Sequence, residues 1–340
     1  MINEKIQPNP IIGAEVFTGM RPTAEPTLAN YLGAVVPLLK LQEEGKKPVA
    51  FVADLHAITD HEPKEVKKVT HAMVADYIAL GLDPEHVQIF IQSELTPQLA
   101  ELSIYLSRLV TVSDILRVPT LKEKLKPGAE EESARLFLAY YPVLMAADIL
   151  LQRAHIIPVG KDQASHLEMT RRIARDFNSS TKKNVFPIPE TQPYDAINII
   201  SLDGIGKMSK TKPKGAIFLN DSPDIVREKI KKAITALPGE MNEVLESHLL
   251  VAQTLSLTEE EKDLIKQFKE DHLKGDKIMT DFKKLFTHII LRFLDEFQIR
   301  KQLIVNDKDY VPGILEEGKK QAKIQAEITI RSVREAIWGE

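Results

Sequence analysis

The sequence predicts an α/β fold: a doubly wound parallel sheet with a helical insertion, followed by an all-α C-terminal domain. Three observations carry this. Short β-type runs alternate with long helical patterns over the first two hundred residues, and strands separated by helices imply parallel pairing. One run, Val49-Ala50-Phe51-Val52-Ala53, is apolar throughout, as a strand buried on both faces requires. After about Asn220 no strand pattern recurs, and apolar residues fall at helical spacing.

Taken in order, Ala14-Glu15-Val16-Phe17 is a brief strand ending at Thr18-Gly19, and Val49 to Ala53 is the second. A helix follows from about Pro63 to Leu80. Val66, Val69, Met73, Tyr77 and Leu80 keep to one face of it, and Gly81 stands where a helix C-cap glycine would. Val87 to Ile91, Ile156 to Val159 and Ile197 to Ile200 are further strands. The helical stretch from Thr96 to Leu150 is long for a crossover and reads as an insertion at about 96–150. Ile225–Leu237, Leu257–Phe268, Asp281–Phe297 and Ile314–Ile337 read as amphipathic helices. The expected units are 1–215 for the α/β domain, 216–305 for a helical domain, and 306–340 for a C-terminal helix that packs back on the first domain. No internal repeat or low-complexity segment is evident.

Composition narrows the function. The 340 residues carry a net charge of −4 with a pI near 6.2, whereas a general nucleic-acid binder is usually basic. RNA contact would therefore rest on local patches, and DNA is not an expected partner. There are no cysteines, which excludes disulfides, thiolate zinc sites and a cysteine nucleophile and suits a reducing cytoplasm. Met1 to Pro10 is polar, without a signal-like apolar core, and no apolar run approaches the ~20 residues of a membrane span, so a soluble cytoplasmic protein is expected. The histidines form no His-Glu-x-x-His and no i, i+4 pair, so no bound transition metal is expected.

Four stretches carry chemistry. In the first, Lys207, Lys210, Lys212 and Lys214 put four ammonium groups into one short loop with Gly204, Gly206, Pro213 and Gly215 around it. Such a loop can surround a polyphosphate and follow its charge as a bond breaks; the plain alternative is a solvated lysine-rich loop. In the second, Phe17-Thr18-Gly19-Met20-Arg21-Pro22-Thr23 leads to Thr27-Leu28-Ala29-Asn30 where the first strand turns into the first helix. Ligands bind beyond the carboxyl ends of strands and phosphates favour helix N-termini; the alternative is an ordinary helix entry with Thr27 as N-cap. In the third, Tyr140 to Leu150 is an apolar helix carrying one carboxylate, Asp148, which needs a donor partner if buried. The commoner case for such a residue is a structural N–H or Arg partner inside the protein. In the fourth, Pro158-Val159-Gly160-Lys161-Asp162-Gln163 reads as strand, glycine turn and helix start, placing Asp162 to meet ribose hydroxyls. Asp54-Leu55-His56-Ala57 ends the second strand, and His56 reads equally as a core histidine.

Lys207-Met208-Ser209-Lys210-Thr211 is one residue from the Lys-Met-Ser-Lys-Ser signature of class I aminoacyl-tRNA synthetases. Thr27 to Asn30 resembles the Thr-Ile-Gly-Asn form of the other class I signature found in tryptophanyl-tRNA synthetases, as does the lead-in Thr-Gly-x-Arg-Pro-Thr. The chain has Ala29 and Ala24 where that family has glycine. The element from Met145 to Asp148 resembles the family's Met-x-x-Asp, whose carboxylate accepts the indole N–H; tyrosyl-tRNA synthetases carry Gln at the Met145 position. The resemblance runs from about Glu15 to the end, and is specific over the first 215 residues.

The resemblance implies a Rossmann-like catalytic domain that joins tryptophan to ATP and then to the 3′ end of tRNA(Trp). Lys207, Lys210, Thr27, Asn30 and Arg21 would be catalytic. ATP would lie against Arg21, Pro22, Thr23, Ala29 and Asn30 on one side. On the other it would meet Gly160, Lys161, Asp162 and Ile199, with Lys207, Met208, Ser209, Lys210 and Thr211 over its phosphates. Phe17, His56, Tyr141, Met145, Asp148 and Gln163 would hold tryptophan. Lys122-Glu123-Lys124 resembles a basic segment that closes over pyrophosphate, with Thr120 where the family has glutamine. Mg²⁺ would be held mainly by phosphates. The helical domain would meet the anticodon, and a homodimer is expected through the Thr96–Val112 helices. Three other readings stay open on the residues: tyrosine as substrate, an adenylyltransferase acting on a phosphorylated small molecule, and a non-catalytic paralogue.

Overall fold

The computed structural model describes residues 13–22, 25–118, 135–158, 164–191 and 199–339. Strands β1 (Phe17–Met20), β2 (Val49–Val52) and β3 (Gln88–Ile91) pair in parallel in that order. Strands β4 (Ile156–Ile157) and β5 (Glu190–Thr191) form a second parallel pair. A parallel bridge from Val16 to Ile156 joins the two sheets, giving the spatial order β3-β2-β1-β4-β5. The order reverses between β1 and β4, and such a switch point opens a crevice at the carboxyl ends of the strands.

Side chains alternate across the sheet, as the two-residue period of a strand demands. Val16, Met20, Ala50, Val52 and Ile89 enter one hydrophobic cluster; Phe17, Val49, Phe51 and Phe90 enter the other. The first strand begins three residues later than the sequence pattern suggests and runs on through Gly19. The continuation has a steric basis: a Cβ at Gly19 would stand 2.7 Å from the Phe51 ring, so glycine lets the chain stay paired there.

Between β1 and β2 lie α1 (Leu28–Asn30), a π-helical turn (Tyr31–Val35) and α2 (Val36–Glu43). The segment from β2 to β3 holds α3 (Asp54–Ala57) and α4 (Pro63–Ala79), after which Gly81 takes a left-handed φ of 111°. The insertion contains α5 (Thr96–Ser107), α6 (Val112–Leu116) and α7 (Leu136–Leu151). Helix α8 (Ala164–Thr181) follows β4. The remaining helices are α9 (Pro223–Lys232), α10 (Glu243–Leu255), α11 (Glu259–Leu273), α12 (Met279–Asn306) and α13 (Tyr310–Trp338).

Further differences from the sequence reading lie in the C-terminal helices. Helix α10 was not anticipated; Asn242 caps it by accepting the Leu245 N–H at 2.9 Å. Helix α9 stops at Lys232, short of Leu237, because the Ile234 N–H turns back to the Leu202 carbonyl at 2.9 Å and Pro238 follows. The Ile197–Ile200 strand lies partly outside the described residues.

The helical segment shares its core with the sheet. Phe282, Phe286, Ile289, Ile290, Leu294 and Phe297 of α12 belong to the same cluster as Ala50 and Val52. Helix α13 straddles the β3 edge, with Leu315 in one cluster and Ala322, Ala326 and Ile330 in the other. It comes so close that a Cβ on Gly318 would meet the Ile89 carbonyl oxygen at 1.8 Å, and the Gln88 amide donates to the Gly318 carbonyl at 3.1 Å. The helix thus covers an edge that could otherwise pair with another chain. No helix among the described residues is long and apolar enough to cross a membrane.

Candidate active site

Each of the first three strands delivers polar side chains at its carboxyl end: Arg21 after β1, Asp54 and His56 after β2, Gln92 after β3. Helix α7 supplies the opposing wall. On it Tyr141, Met145 and Asp148 stand at i, i+4 and i+7, one helical face. Met145 is half-buried, while Tyr141 and Asp148 are buried.

Asp148 is bound within the protein. Its Oδ2 accepts from His56 Nε2 at 2.9 Å and from the Gln92 amide at 2.7 Å. An ionised carboxylate only accepts, so His56 Nε2 carries the proton. Burial pushes the Asp148 pKa up, while the His56 and Gln92 hydrogen bonds and the nearby histidine work against that rise. Both bonds fall on Oδ2; among the described residues none reaches Oδ1. Gln92 is fully buried and its Oε1 accepts from the Leu55 and His56 N–H groups at 3.1 and 3.3 Å. Asp54 Oδ1 accepts the Leu55 and Ser93 N–H groups, both at 2.9 Å, so the ends of β2 and β3 are locked together. The Tyr141 ring stands edge-on to His56, with centroids 6.0 Å apart, and its hydroxyl bonds to His166 Nε2. Phe17 stacks on Phe51 at 4.7 Å and is 1% exposed, so it lies in the core behind this wall.

Sequence reasoning gave no role to Gln92, His166 or Asp60, and met Asp54 only as part of the Asp54–Ala57 segment. The signal available for Gln92 was its position: a polar residue immediately after an apolar strand, as Arg21 and Asp54 also are.

The lysine loop is a hairpin. Ile200 and Lys207 form an antiparallel bridge, the Met208 N–H donates to the Ile199 carbonyl at 2.7 Å, and Gly204 and Gly206 both take positive φ, 72° and 71°. Buried Met208 and Ile199 anchor it in the core, while Lys207 and Thr211 are exposed and Ser209 and Lys210 half-buried. The Ser209 and Thr211 hydroxyls lie 2.6 Å apart. Burial lowers the Lys210 pKa to about 8, against the pull of Asp76 and Glu25.

The chain leaving this loop runs beside the helix entry. Leu28 N–H donates to the Ile217 carbonyl at 2.9 Å, Leu219 N–H to the Pro26 carbonyl at 3.0 Å, and Thr27 bridges Phe218. Asn30 Oδ1 accepts from the Thr27 N–H at 2.9 Å and the Thr27 hydroxyl at 3.0 Å. Ala29 is half-buried against the core just before the π-helical turn, a distortion that recurs at functional sites. Pro22 is buried, and Arg21 is ion-paired with Asp60. Thr23, Gly160, Lys161, Asp162 and Gln163 lie outside the described residues, as do Ala24, Thr120 and Lys122 to Lys124.

The helix entry after β1 is therefore hydrogen-bonded to the chain that leaves the lysine loop, through Ile217, Phe218 and Leu219. Residues 13–295 match the family described as tRNA synthetases class I (W and Y). The chain belongs to that family. Among relatives, the tryptophan–tRNA ligase of Treponema pallidum is 34% identical over 335 residues, covering 95% of this chain and 96% of that protein. That of Corynebacterium glutamicum is 38% identical, covering 95% and 94%. Among solved structures, the tryptophanyl-tRNA synthetase of Campylobacter jejuni, complexed with ADP and tryptophan, superposes with a TM-score of 0.79 at 27% identity, covering 95% of this class I chain and 99% of its own. The Mycoplasma pneumoniae enzyme gives 0.79 at 28% identity, covering 96% and 97%.

Proposed function

We propose that this class I synthetase is a tryptophan–tRNA ligase, which activates tryptophan with ATP and transfers it to tRNA(Trp). The observation that carries this is the seam between Thr27 and Phe218, which ties the Thr27–Asn30 entry to the chain leaving the lysine loop, with Asp148 of α7 bonded to His56 at the end of β2.

In the first step the tryptophan carboxylate attacks the α-phosphorus of ATP. The bond to the bridging oxygen breaks, and pyrophosphate leaves with that electron pair. The carboxylate is already ionised at neutral pH, so no general base is required. The chain's work is positioning and charge neutralisation. Lys207 and Lys210 face the phosphates, Arg21 adds a third cation, and Thr27 and Asn30 orient the nucleotide, which enters as its Mg²⁺ complex. Ile199, Met208, Ser209, Thr211, Pro22, Thr23, Ala29 and Gly160 to Asp162 form the rest of the nucleotide site on this reading. In the second step a ribose hydroxyl at the tRNA 3′ end attacks the acyl carbon and AMP leaves.

Tryptophan is read by Asp148, whose Oδ1 is the acceptor left for a donor-only indole N–H. Met145, Tyr141, His56 and Gln163 enclose the ring on this reading, while Phe17, stacked on Phe51 in the core, only backs the wall. A site that hydrogen-bonds a buried N–H discriminates strongly without editing. The helical unit 216–305 is the part we assign to the anticodon. The homodimer is assigned to the adjoining helices α5, α6 and α7, where Ile104, Val112 and Leu136 are 66%, 73% and 81% exposed.

The test is ATP–pyrophosphate exchange run separately with each of the twenty amino acids. Exchange with tryptophan alone is expected. Exchange with tyrosine alone would keep the reaction and overturn the roles of Met145 and Asp148. No exchange from folded protein would leave a non-catalytic paralogue.

A further inference from the structure

The ends of β2 and β3 and the face of α7 meet at Asp148. Gln92 is the first residue beyond β3, where the chain enters the 3-10 turn Gln92–Leu95, and it is 0% exposed. The two strand ends are tied twice. The Ser93 N–H donates to Asp54 Oδ1 at 2.9 Å, and Gln92 Oε1 accepts the Leu55 and His56 N–H groups at 3.1 and 3.3 Å. Backbone N–H groups only donate, so these two fix which way round the Gln92 amide lies. Its nitrogen therefore faces Asp148 Oδ2, at 2.7 Å.

That polarity matters for the carboxylate. A histidine nitrogen donates or accepts according to its tautomer, so the His56 contact alone permits either partner to hold the proton. The Gln92 amide does not titrate, and with its oxygen held by the β2 end it offers Asp148 a donor only. A proton on Oδ2 would point straight at that donor. Burial works the other way: a carboxylate this deep favours the neutral acid unless donors compensate, and the like charge of Asp54 adds to that tendency. Among the described residues the compensating donors are His56 and Gln92, and both reach the same oxygen. Two donors on one oxygen fix the carboxylate from one edge and turn the other oxygen away from them.

We infer that Gln92 is a positioning residue for the selection of tryptophan: the β2 end locks its amide as a donor to Asp148 Oδ2, and this holds the carboxylate as an acceptor with Oδ1 presented to the indole N–H. Gln92 touches Asp148 and not the amino acid, so it sets specificity through the carboxylate. The inference rests on the proposed reading of Asp148; the hydrogen bonds that lock Gln92 do not.

The experiment measures kcat/KM in ATP–pyrophosphate exchange with tryptophan and with 3-benzothienylalanine, in which sulfur replaces the indole N–H. The wild type should prefer tryptophan, and Asp148→Ala should abolish the preference. Gln92→Met, close in volume but without a donor, should cut the preference about tenfold or more, as loss of a hydrogen bond to a charged group does. In the Asp148→Ala background the same change should leave the preference where Asp148→Ala puts it, because Gln92 acts through that carboxylate. Gln92→Asn, one methylene too short to span from the β2 N–H groups to Asp148, should lose the preference likewise, and stands in if the Met variant does not fold. An unchanged preference in the folded variant, with both substrates slowed alike, overturns the inference and leaves Gln92 a brace between β2 and β3. A double variant whose preference differs from that of Asp148→Ala also overturns it. A wild type that shows no preference overturns the reading of Asp148 and the inference with it. Calorimetric binding of the two amino acids gives the same ratio without turnover, so absence of exchange would count against the proposed function alone.

Discussion

His56 Nε2 lies 2.9 Å from Asp148 Oδ2, across the crevice between the end of β2 and the face of α7. The pair resolves what the sequence left open on both residues. Asp148 has internal donors, and His56 is a satisfied histidine; both bonds fall on Oδ2, and the proposed function gives Oδ1 to the indole N–H. Asp148→Ala should therefore weaken tryptophan binding by about 1–3 kcal/mol, roughly 5- to 150-fold in Kd. Calorimetric titration checks this. Unchanged affinity would confine Asp148 to bracing His56 and Gln92.

If Lys210 faces the phosphates as proposed, its titration should set an upper pH limit on activation. Its ammonium is charged below about 8 and neutral above, and only the charged form stabilises phosphate. In exchange assays kcat/KM for ATP should fall as pH rises through about 8, since that parameter reports the free enzyme. The limit on kcat should lie higher, because bound phosphates favour the charged form. Lys210→Ala should slow exchange by roughly 10²–10³-fold and remove the limit, with tryptophan affinity unchanged.

Gly318 is a steric requirement for covering the sheet edge. Gly318→Ala would put a methyl into the Ile89 carbonyl. Overpacking of this kind costs about 1–3 kcal/mol or more, so the urea midpoint should fall. An unchanged midpoint would mean that α13 can shift away from β3 without loss.

Asp114 ties α6 to α8. Its Oδ1 accepts from Arg172 at 2.8 Å and its Oδ2 from the Thr111 N–H at 2.9 Å. Arg172 first, and then Thr111, hold the Asp114 carboxyl well below the usual carboxylate range. Its folded pKa is depressed, so the stabilisation is present above the unfolded value of about 3.9 and is lost as pH falls below it. Asp114→Asn should lower stability at pH 7 by about 1 kcal/mol or less, given the exposure of Arg172. The gap to the wild type should narrow as pH falls below about 3.9; a gap as wide at pH 2 as at pH 7 would refute the assignment.

Leu136 tests the assigned dimer face. Leu136→Glu should give a monomer in light scattering while the far-ultraviolet spectrum stays the same. A wild type that is already monomeric would remove that assignment.

What the sequence by itself determined is whatever depends on local period and local chemistry. The apolar run at Val49 to Val52, the helical spacing from Pro63 and the glycine-flanked lysines from Lys207 are written in neighbouring letters, and neighbours decide strand, helix and loop. The class I family was legible for the same reason, since its signatures are contiguous. Helix α10 escaped because its Asn242 cap follows the Pro238-Gly239 turn, which masks its start. What only the tertiary structure decided are the pairings between distant residues: His56 and Gln92 on Asp148, Lys301 on Asp76, Gly318 against Ile89. No periodicity encodes which buried charge finds which partner, because that depends on how the sheet edge, α7, α12 and α13 come together. The cost of an unpaired buried group then selects the arrangement in which each has its counterpart.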